Sequence, residues 1–408
     1  MRIIVQKFGG TSLATLELRT RVCEIITSAK KDDIAVVVVV SAMGREKAPY
    51  ATDTLINMVK EVNPKPSPRE LDLIMSCGEI ISGVLLVSQL SARGFEARFF
   101  TGQQAGIITD SNHGNAHILY VNPKNILEVL SRGIIPVVAG FQGVDERGEI
   151  TTLGRGGSDT TAATLGVALN AEVIDIFTDV EGVMTADPRI VENARLLDAI
   201  TYNEICQLAR EGAKVIHPRA VEIAMQRGIP MRVRSTFSEN TGTLVTNTTS
   251  GTLDTIRLIS DNLITGVTHT SNISQFRINI SDVEDKKGCE LKVFKALALA
   301  GISVDFINIQ PEVILFTVQA ENTIRAVEVL RKIGIYPDVE MNCAKVAVVG
   351  AAMTGIPGVM AKVVEALTEN EIPILQSGDS YTNIWCLVKR EHMEKAVKVL
   401  HDKFELGK

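Results

Sequence analysis

The chain has 408 residues, enough for two to four domains at roughly 100–200 residues each, which excludes a miniature stapled scaffold. Lysine and arginine number 42 against 48 acidic residues, a formal charge of −6 that argues against a general polyanion binder while leaving room for a local cationic pocket. Aromatic residues make up 4%, too few for stacking platforms on single-stranded nucleic acid, so the expected partner is a small molecule.

In chain order, the opening MRIIVQKFGG has too short an apolar run for a signal peptide. Ile3–Lys7 reads as a strand, and Lys7-Phe8-Gly9-Gly10-Thr11-Ser12 follows it before a helical stretch. Glycines there would let the backbone approach an anion, and Lys7 would add a movable cation; a tight strand-to-helix turn is the plainer reading. Ala35–Val40 contains an unbroken valine run, which suits a central strand buried on both faces. Ser41-Ala42-Met43-Gly44 then forms a turn that could touch a ligand or merely reverse the chain.

The stretch nearest to a membrane span is Leu71–Leu90, but it carries Asp72 and Glu79. A carboxylate at mid-span costs a few kcal/mol, so a buried helix of a soluble protein is expected. Glu79, set among Ile74, Met75, Ile80 and Ile81, needs a cationic partner, either a protein side chain or a substrate ammonium. Further strands are expected at Phe95–Phe100, Ile134–Ala139 and Val173–Thr178, alternating with helices, which predicts a mostly parallel sheet.

Thr151–Thr161 (TTLGRGGSDTT) leads into a helix at Thr161–Asn170 and offers an arginine suited to a carboxylate and an acid suited to a lysine. Capping by Ser158 or Asp159 is the alternative. Neither the P-loop nor the dinucleotide fingerprint is satisfied. Thr178–Arg189 leaves a strand end, where open α/β sheets bind ligands, although a plain acidic loop would read the same. Lys214 in GAKVIHP stands near a helix end, and His217 is read as structural. The six cysteines lack zinc-ligand spacing and are read as reduced, mostly buried thiols of a cytosolic protein with no metal site.

At Phe237–Asp254 the composition turns to Ser, Thr, Asn and Gly, which marks a domain junction. Beyond it lies an internal repeat: an offset of 70 residues aligns Gly288 with Gly358, Lys292-Val293 with Lys362-Val363, Ile314 with Ile384 and Val329-Leu330 with Val399-Leu400, without a gap. Each copy reads as strand, helix, strand, strand, helix, a split β-α-β module.

KFGGTS, VVSAMG, CGE, GRGGSDTTA, TDVEGVMTADPR and GAKVIHPRA, in this order and spacing, resemble aspartokinases of the amino acid kinase family, most closely the Bacillus-type, diaminopimelate-sensitive branch. The repeat resembles the paired ACT regulatory modules of that family. The resemblance implies a three-layer α/β/α catalytic domain over 1–245 with a mostly parallel sheet. Two ferredoxin-like α+β (ACT-type) modules then follow at 262–336 and 340–408.

The implied reaction is transfer of phosphate from ATP, with Mg2+ in the substrate complex, to the β-carboxylate of L-aspartate, with no tightly bound prosthetic group. Implied catalytic residues are Lys7, Asp159 and Lys214, with Asp159 orienting the lysine pair. Ser41, Thr52, Glu79, Arg155 and Ser158 would hold aspartate. Lys7, Phe8, Gly9, Gly10, Thr178, Asp179, Met184, Arg189 and Lys214 would hold ATP. A feedback effector, diaminopimelate or else lysine or threonine, would sit near Gly288, Ser303, Val304, Asp305, Asn308, Ile374, Leu375 and Ser380. A cytoplasmic homo-oligomer joined through the ACT-like modules is also implied, with neither nucleic acid nor membrane as partner. The alternatives are a related kinase acting on glutamate, N-acetylglutamate, carbamate or a nucleotide, and a non-catalytic amino-acid sensor.

Overall fold

The computed structural model describes residues 1–30, 34–247, 263–283, 288–350, 353 and 356–408. The expected junction at Phe237–Asp254 runs past residue 247, outside the described residues. Internal contacts divide the chain into two units, and the division is not a single cut. Met184–Arg195 and Arg210–Ala213 belong to the second unit with the C-terminal part, whereas the sequence around them belongs to the first.

The first unit begins with β1 (Arg2–Phe8), α1 (Leu16–Ala29), β2 (Ile34–Val40), α2 (Thr52–Val62), α3 (Pro68–Ala92) and β3 (Ala97–Phe100). Next come β4 (Ile107–Thr109), β5 (Ile118–Val121), α4 (Lys124–Ser131), β6 (Ile135–Ala139), β7 (Gln142–Asp145), β8 (Ile150–Thr152), α5 (Gly157–Ala168) and β9 (Val173–Thr178). It closes with β10 (Ala199–Ile200), α6 (Tyr202–Arg210), α7 (Pro218–Arg227), β11 (Met231–Ser235) and β12 (Thr243–Val245).

The main sheet has the order β10-β12-β11-β9-β1-β2-β6-β3, and every neighbouring pair is parallel except β11 with β12. All five expected strands are present. The valine run forms β2 between β1 and β6, and Val36–Val40 are fully buried because both faces are covered. One face packs Val36, Val38 and Val40 with Val22 and Ile26 of α1 and Leu86 and Leu90 of α3. The opposite face takes α5, whose Gly166 lies against the Ile174 side chain. The result is the three-layer α/β/α arrangement.

Ser67 starts α3 by accepting the Glu70 N–H, with Pro68 in the first turn. The helix is long and apolar enough to cross a membrane by length and composition, yet it buries Asp72, Ser76, Glu79 and Ser82 within the first unit. Asp72 accepts bonds from the Gly114 N–H and the Thr152 hydroxyl, and lies 2.8 Å from His113 Nδ1. It thereby ties α3 to a small second sheet, β5-β4-β7-β8.

The second unit contains β13 (Gly266–Asn279), α8 (Cys289–Leu299), β14 (Asp305–Ile309), β15 (Val313–Gln319) and α9 (Thr323–Arg331). The same five elements then recur as β16 (Asp338–Val349), α10 (Val359–Thr368), β17 (Gln376–Asp379), β18 (Asn383–Lys389) and α11 (Met393–Lys403). Both copies share one sheet, β14-β15-β13-β16-β18-β17, joined by antiparallel pairing of β13 with β16. Although β14 and β17 end the strand order, the sheet curls until they meet. Gln376 Nε2 donates to the Phe306 carbonyl at 2.6 Å, and Phe306 stacks on Trp385 with ring centroids 3.6 Å apart.

The Met184–Arg195 segment contributes Ala186 and Val191 to the core of the second copy. All six cysteines are free, and five of them are buried. In the first unit Phe8 stacks on Phe177 at 4.7 Å, both with essentially no exposure, closing the core beneath the loops that follow β1 and β9. Phe177→Ala would leave a cavity there, and we expect a loss of about 3–5 kcal/mol in urea unfolding. A loss under about 1 kcal/mol would show that the layer closes without it.

Candidate active site

Phe8 pairs with Val40 and Phe177, and Val40 pairs with Ala139, so four parallel strands finish at one level. The loops beyond that level carry most of the expected site residues, at the carboxyl edge where open α/β sheets bind ligands. Lys7, one residue before the edge, points to the α5 side of the sheet. Its ammonium lies 2.7 Å from Asp159 Oδ1 in the first turn of α5, and both side chains are largely shielded. Gly9 adjoins the ammonium, for a Cβ there would come within 3.7 Å of Lys7 Nζ.

The glycine loop departs from one expectation. The Gly9 N–H donates to the Phe177 carbonyl at 3.2 Å, so it is already used in joining β1 to β9 and is not available as a phosphate donor. The donors that remain in this loop are the N–H groups of Gly10 and Thr11, at the open end of the short 3-10 turn Gly10–Leu13. Gly10 is pressed against the Ser41–Gly44 turn: it accepts the Gly44 N–H at 2.9 Å, and a Cβ would lie 2.4 Å from the Ala42 carbonyl oxygen. Ser41 in turn donates its N–H to the Phe8 carbonyl.

Glu79 comes to the same turn from α3. Only 2% of it is exposed, its Oε1 accepts the Ala42 N–H at 3.0 Å, and its Oε2 is buried with no hydrogen-bond partner. Burial pushes its carboxyl up to about 8, and the Ala42 N–H opposes this only in part. The neighbouring Gly78 makes room for the approach. A Cβ at Gly78 would meet the Ala42 side chain at 2.8 Å and the Tyr50 carbonyl at 3.1 Å, which brings the start of α2, with Thr52 as its first residue, to this part of α3.

Gly140, just after β6, plays a similar part for Ser158, since a Cβ there would come within 2.8 Å of Ser158 Oγ. Gly156, at φ +69, caps α5 and lies directly against the His217 ring. His217 caps α7 by accepting the Arg219 N–H, and burial lowers its pKa, in keeping with a structural role. Arg219 reaches back to the carbonyls of Leu153 and Ala116 at 2.9 Å each, fixing the loop before α5. Gly78, Gly140 and Arg219 were not singled out in the sequence, although Gly78 lies inside CGE and Arg219 inside GAKVIHPRA.

Arg155 is exposed at the mouth of its loop and forms no ion pair among the described residues. Lys214 is exposed too, and Asp159 pairs with Lys7 rather than with both lysines, so orientation of a lysine pair by Asp159 is not what the geometry gives. Thr178 ends β9 and bonds to Asp179, whose carboxylate is paired with Arg45. Met184 and Arg189 belong to the second unit, where the Arg189 guanidinium forks onto Asp187. There too, Gly288 caps α8 at φ +72, while Ser303, Val304, Asp305 and Asn308 precede or lie on β14. Ile374, Leu375 and Ser380 flank β17, and the Ser380 hydroxyl donates to Asn383.

The amino acid kinase family model matches residues 2–235, and an ACT domain model matches residues 338–402. Aspartokinase 1 of Bacillus subtilis (strain 168) is 52% identical over 408 residues, the full length of both chains. The chain belongs to the aspartokinases of the amino acid kinase family. An aspartokinase of Mycolicibacterium smegmatis is 42% identical, covering 100% of this chain and 97% of its own. Among solved structures, E. coli aspartokinase III in complex with aspartate and ADP (R-state) superposes with a TM-score of 0.78 at 28% identity, covering 98% of this chain and 99% of that one. The same enzyme with lysine and aspartate (T-state) gives a TM-score of 0.75.

The raised Glu79 pKa has a stability consequence of definite sign. Between about 4.5 and about 8 the folded chain keeps a proton that the unfolded chain has lost, so this residue's contribution to stability is present below that window and declines through it, by at most about 1.4 kcal/mol per pH unit. Glu79→Gln, neutral throughout, should therefore be more stable than wild type at pH 8 and nearly equal to it at pH 5, without ligand. Equal stability at both pH values would mean that Glu79 is not held neutral.

Proposed function

We propose that the chain transfers the γ-phosphoryl group of ATP to the β-carboxylate of L-aspartate, giving ADP and 4-phospho-L-aspartate. This is the entry step toward diaminopimelate and lysine, threonine and methionine. The observation that carries the reading is Glu79, a buried carboxylate with one oxygen fixed by the Ala42 N–H and the other unpartnered. It suits a substrate ammonium, which would supply the missing partner and draw the group into its charged form.

The acceptor carboxylate of aspartate is already anionic near neutral pH, so the reaction needs no general base. Alignment and charge neutralisation supply the catalysis. Lys7, anchored by Asp159, takes phosphate charge, with the Gly10 N–H beside it and Lys214 as a second cation. Arg155 clamps the α-carboxylate in a two-pronged bond while Glu79 holds the α-ammonium; Ser41, Thr52 and Ser158 contact the rest of aspartate. Thr178, Asp179, Met184 and Arg189 are the residues proposed to border the adenosine. Magnesium enters as the ATP complex, held by phosphate oxygens and water.

The second unit is read as the feedback sensor. Diaminopimelate is the proposed effector, contacting the Ser303–Asn308 and Ile374–Ser380 segments, and these modules are proposed to pair between chains of a cytoplasmic homo-oligomer. To inhibit, the effector must bind one state of the enzyme better than another.

Trapping the acyl phosphate with hydroxylamine should give product with aspartate and not with glutamate; product with glutamate alone would reassign the substrate. Lys7→Ala should lower kcat by at least about a hundredfold in a folded protein, and near-normal turnover would remove Lys7 from the phosphate site. Titration with diaminopimelate, lysine, threonine and methionine in turn should find inhibition by the first.

A further inference from the structure

Arg210–Ala213 is N-terminal sequence built into the second unit, and it ends immediately before Lys214. Three neighbouring strands of the six-stranded sheet grip it. From β13, Thr270 Oγ1 donates to the Glu211 carbonyl at 2.8 Å. From β18, Asn383 Nδ2 donates to Glu211 Oε1 at 2.9 Å, and from β16 the Lys345 ammonium lies 2.5 Å from Glu211 Oε2. The next residue, Gly212, adopts φ +122 and runs so close to β13 that a Cβ would lie 1.9 Å from the His269 carbonyl oxygen. No residue with a side chain fits there without moving the strand.

The ion pair is a buried one, with Glu211 5% and Lys345 7% exposed. The same ammonium stands 4.0 Å from the centre of the Phe306 ring and 3.7 Å from Asp305 Oδ2, both at the start of β14. One charge therefore joins the outer strand of the first repeat, the first strand of the second and the segment leading to Lys214. Removing either partner strands the other charge out of water, so the pair holds only while both are present.

We propose that Glu211 and Lys345 are positioning residues for Lys214: the regulatory sheet fixes the residues just before this lysine, and so sets how well its ammonium meets the nucleotide phosphates. This rests on the assignment of Lys214 to ATP. The pair acts through Lys214 and not on aspartate, and it makes Lys345 the group through which movement of β14 reaches the kinase chain.

The test uses full-length Lys345→Met and Glu211→Gln, and the same changes combined with Lys214→Met. Steady-state kinetics gives KM for MgATP and for aspartate separately, and calorimetry gives the Kd of MgADP without turnover. We expect each single change to raise KM for MgATP about tenfold and the Kd of MgADP at least about threefold, with KM for aspartate within about twofold. With Lys214→Met already present, removing the pair should alter MgADP binding by less than about twofold.

Equal rises in both KM values, or a full effect on MgADP binding in the Lys214→Met background, would overturn the proposal in favour of a merely structural pair. Should Lys345→Met fail to fold, Glu211→Gln keeps the side-chain size and the Asn383 bond and carries the same measurements. If the wild type binds MgADP but releases no ADP with aspartate, the substrate reading fails while the MgADP series still decides the positioning role.

Discussion

The level at which β9, β1, β2 and β6 end is the constraint on which the rest of the catalytic unit depends. Parallel pairing fixes Phe177, Phe8, Val40 and Ala139 against one another, and each strand then releases its loop at the same height. The loops have little freedom thereafter. Gly9 is bonded to Phe177, Gly10 is wedged into the Ser41–Gly44 turn, and that turn is bonded to Glu79. Charged groups contributed by one strand, Lys7, and two helices, Glu79 and Asp159, thus lie among backbone contacts that leave no room for a Cβ at Gly10 or Gly140. Such a scaffold meets the main need of phosphoryl transfer to a ready-made anion, which is fixed geometry.

Glu79 illustrates what that fixed geometry costs. A carboxylate sealed into an apolar helix face, with one oxygen unsatisfied, works against folding at neutral pH, because its charged form has lost water and gained a single N–H in return. A neutral side chain would suit the resting protein better. Under the proposed assignment of Glu79 to the substrate ammonium, the buried oxygen is reserved for a cation that arrives with the substrate, and selectivity would follow. A ligand lacking the ammonium would leave the penalty in place.

Much of this was legible in the sequence, and the reasons are physical. The valine run of β2 suits a strand covered on both faces, and the 70-residue repeat, from Gly288 to Gly358, laid out the second unit element by element. Glu79 stood out because a lone acid among Ile74, Met75, Ile80 and Ile81 has no cheap place to go. What could not be read was which partner each polar group would choose. The sequence offered the Gly9 N–H to a phosphate, but β9 lies beside β1 and its Phe177 carbonyl takes that donor. It paired Asp159 with two lysines, whereas α5 presents the acid to Lys7. Nor does any local pattern announce that Glu211 leaves the company of its neighbours, for its partners Thr270, Lys345 and Asn383 are brought to it only by the finished sheet.

Pairing of β13 with β16 places Ile273 opposite Cys343, positions that the 70-residue offset makes equivalent. Thr270 opposite Lys345 and Gln275 opposite Glu340 are likewise mates under the same offset, so the two repeats face each other across a local twofold axis, as two subunits of a dimer would. The side chains break that symmetry. On one side Gln275 bonds to Gln376, a neutral contact; at the equivalent place on the other, Lys345 stands over Phe306 and holds Glu211. The two halves of the duplicated sheet therefore share a backbone but not a charge pattern, so a ligand meeting equivalent positions of the two repeats would meet neutral amides at one and a paired ammonium over an aromatic ring at the other.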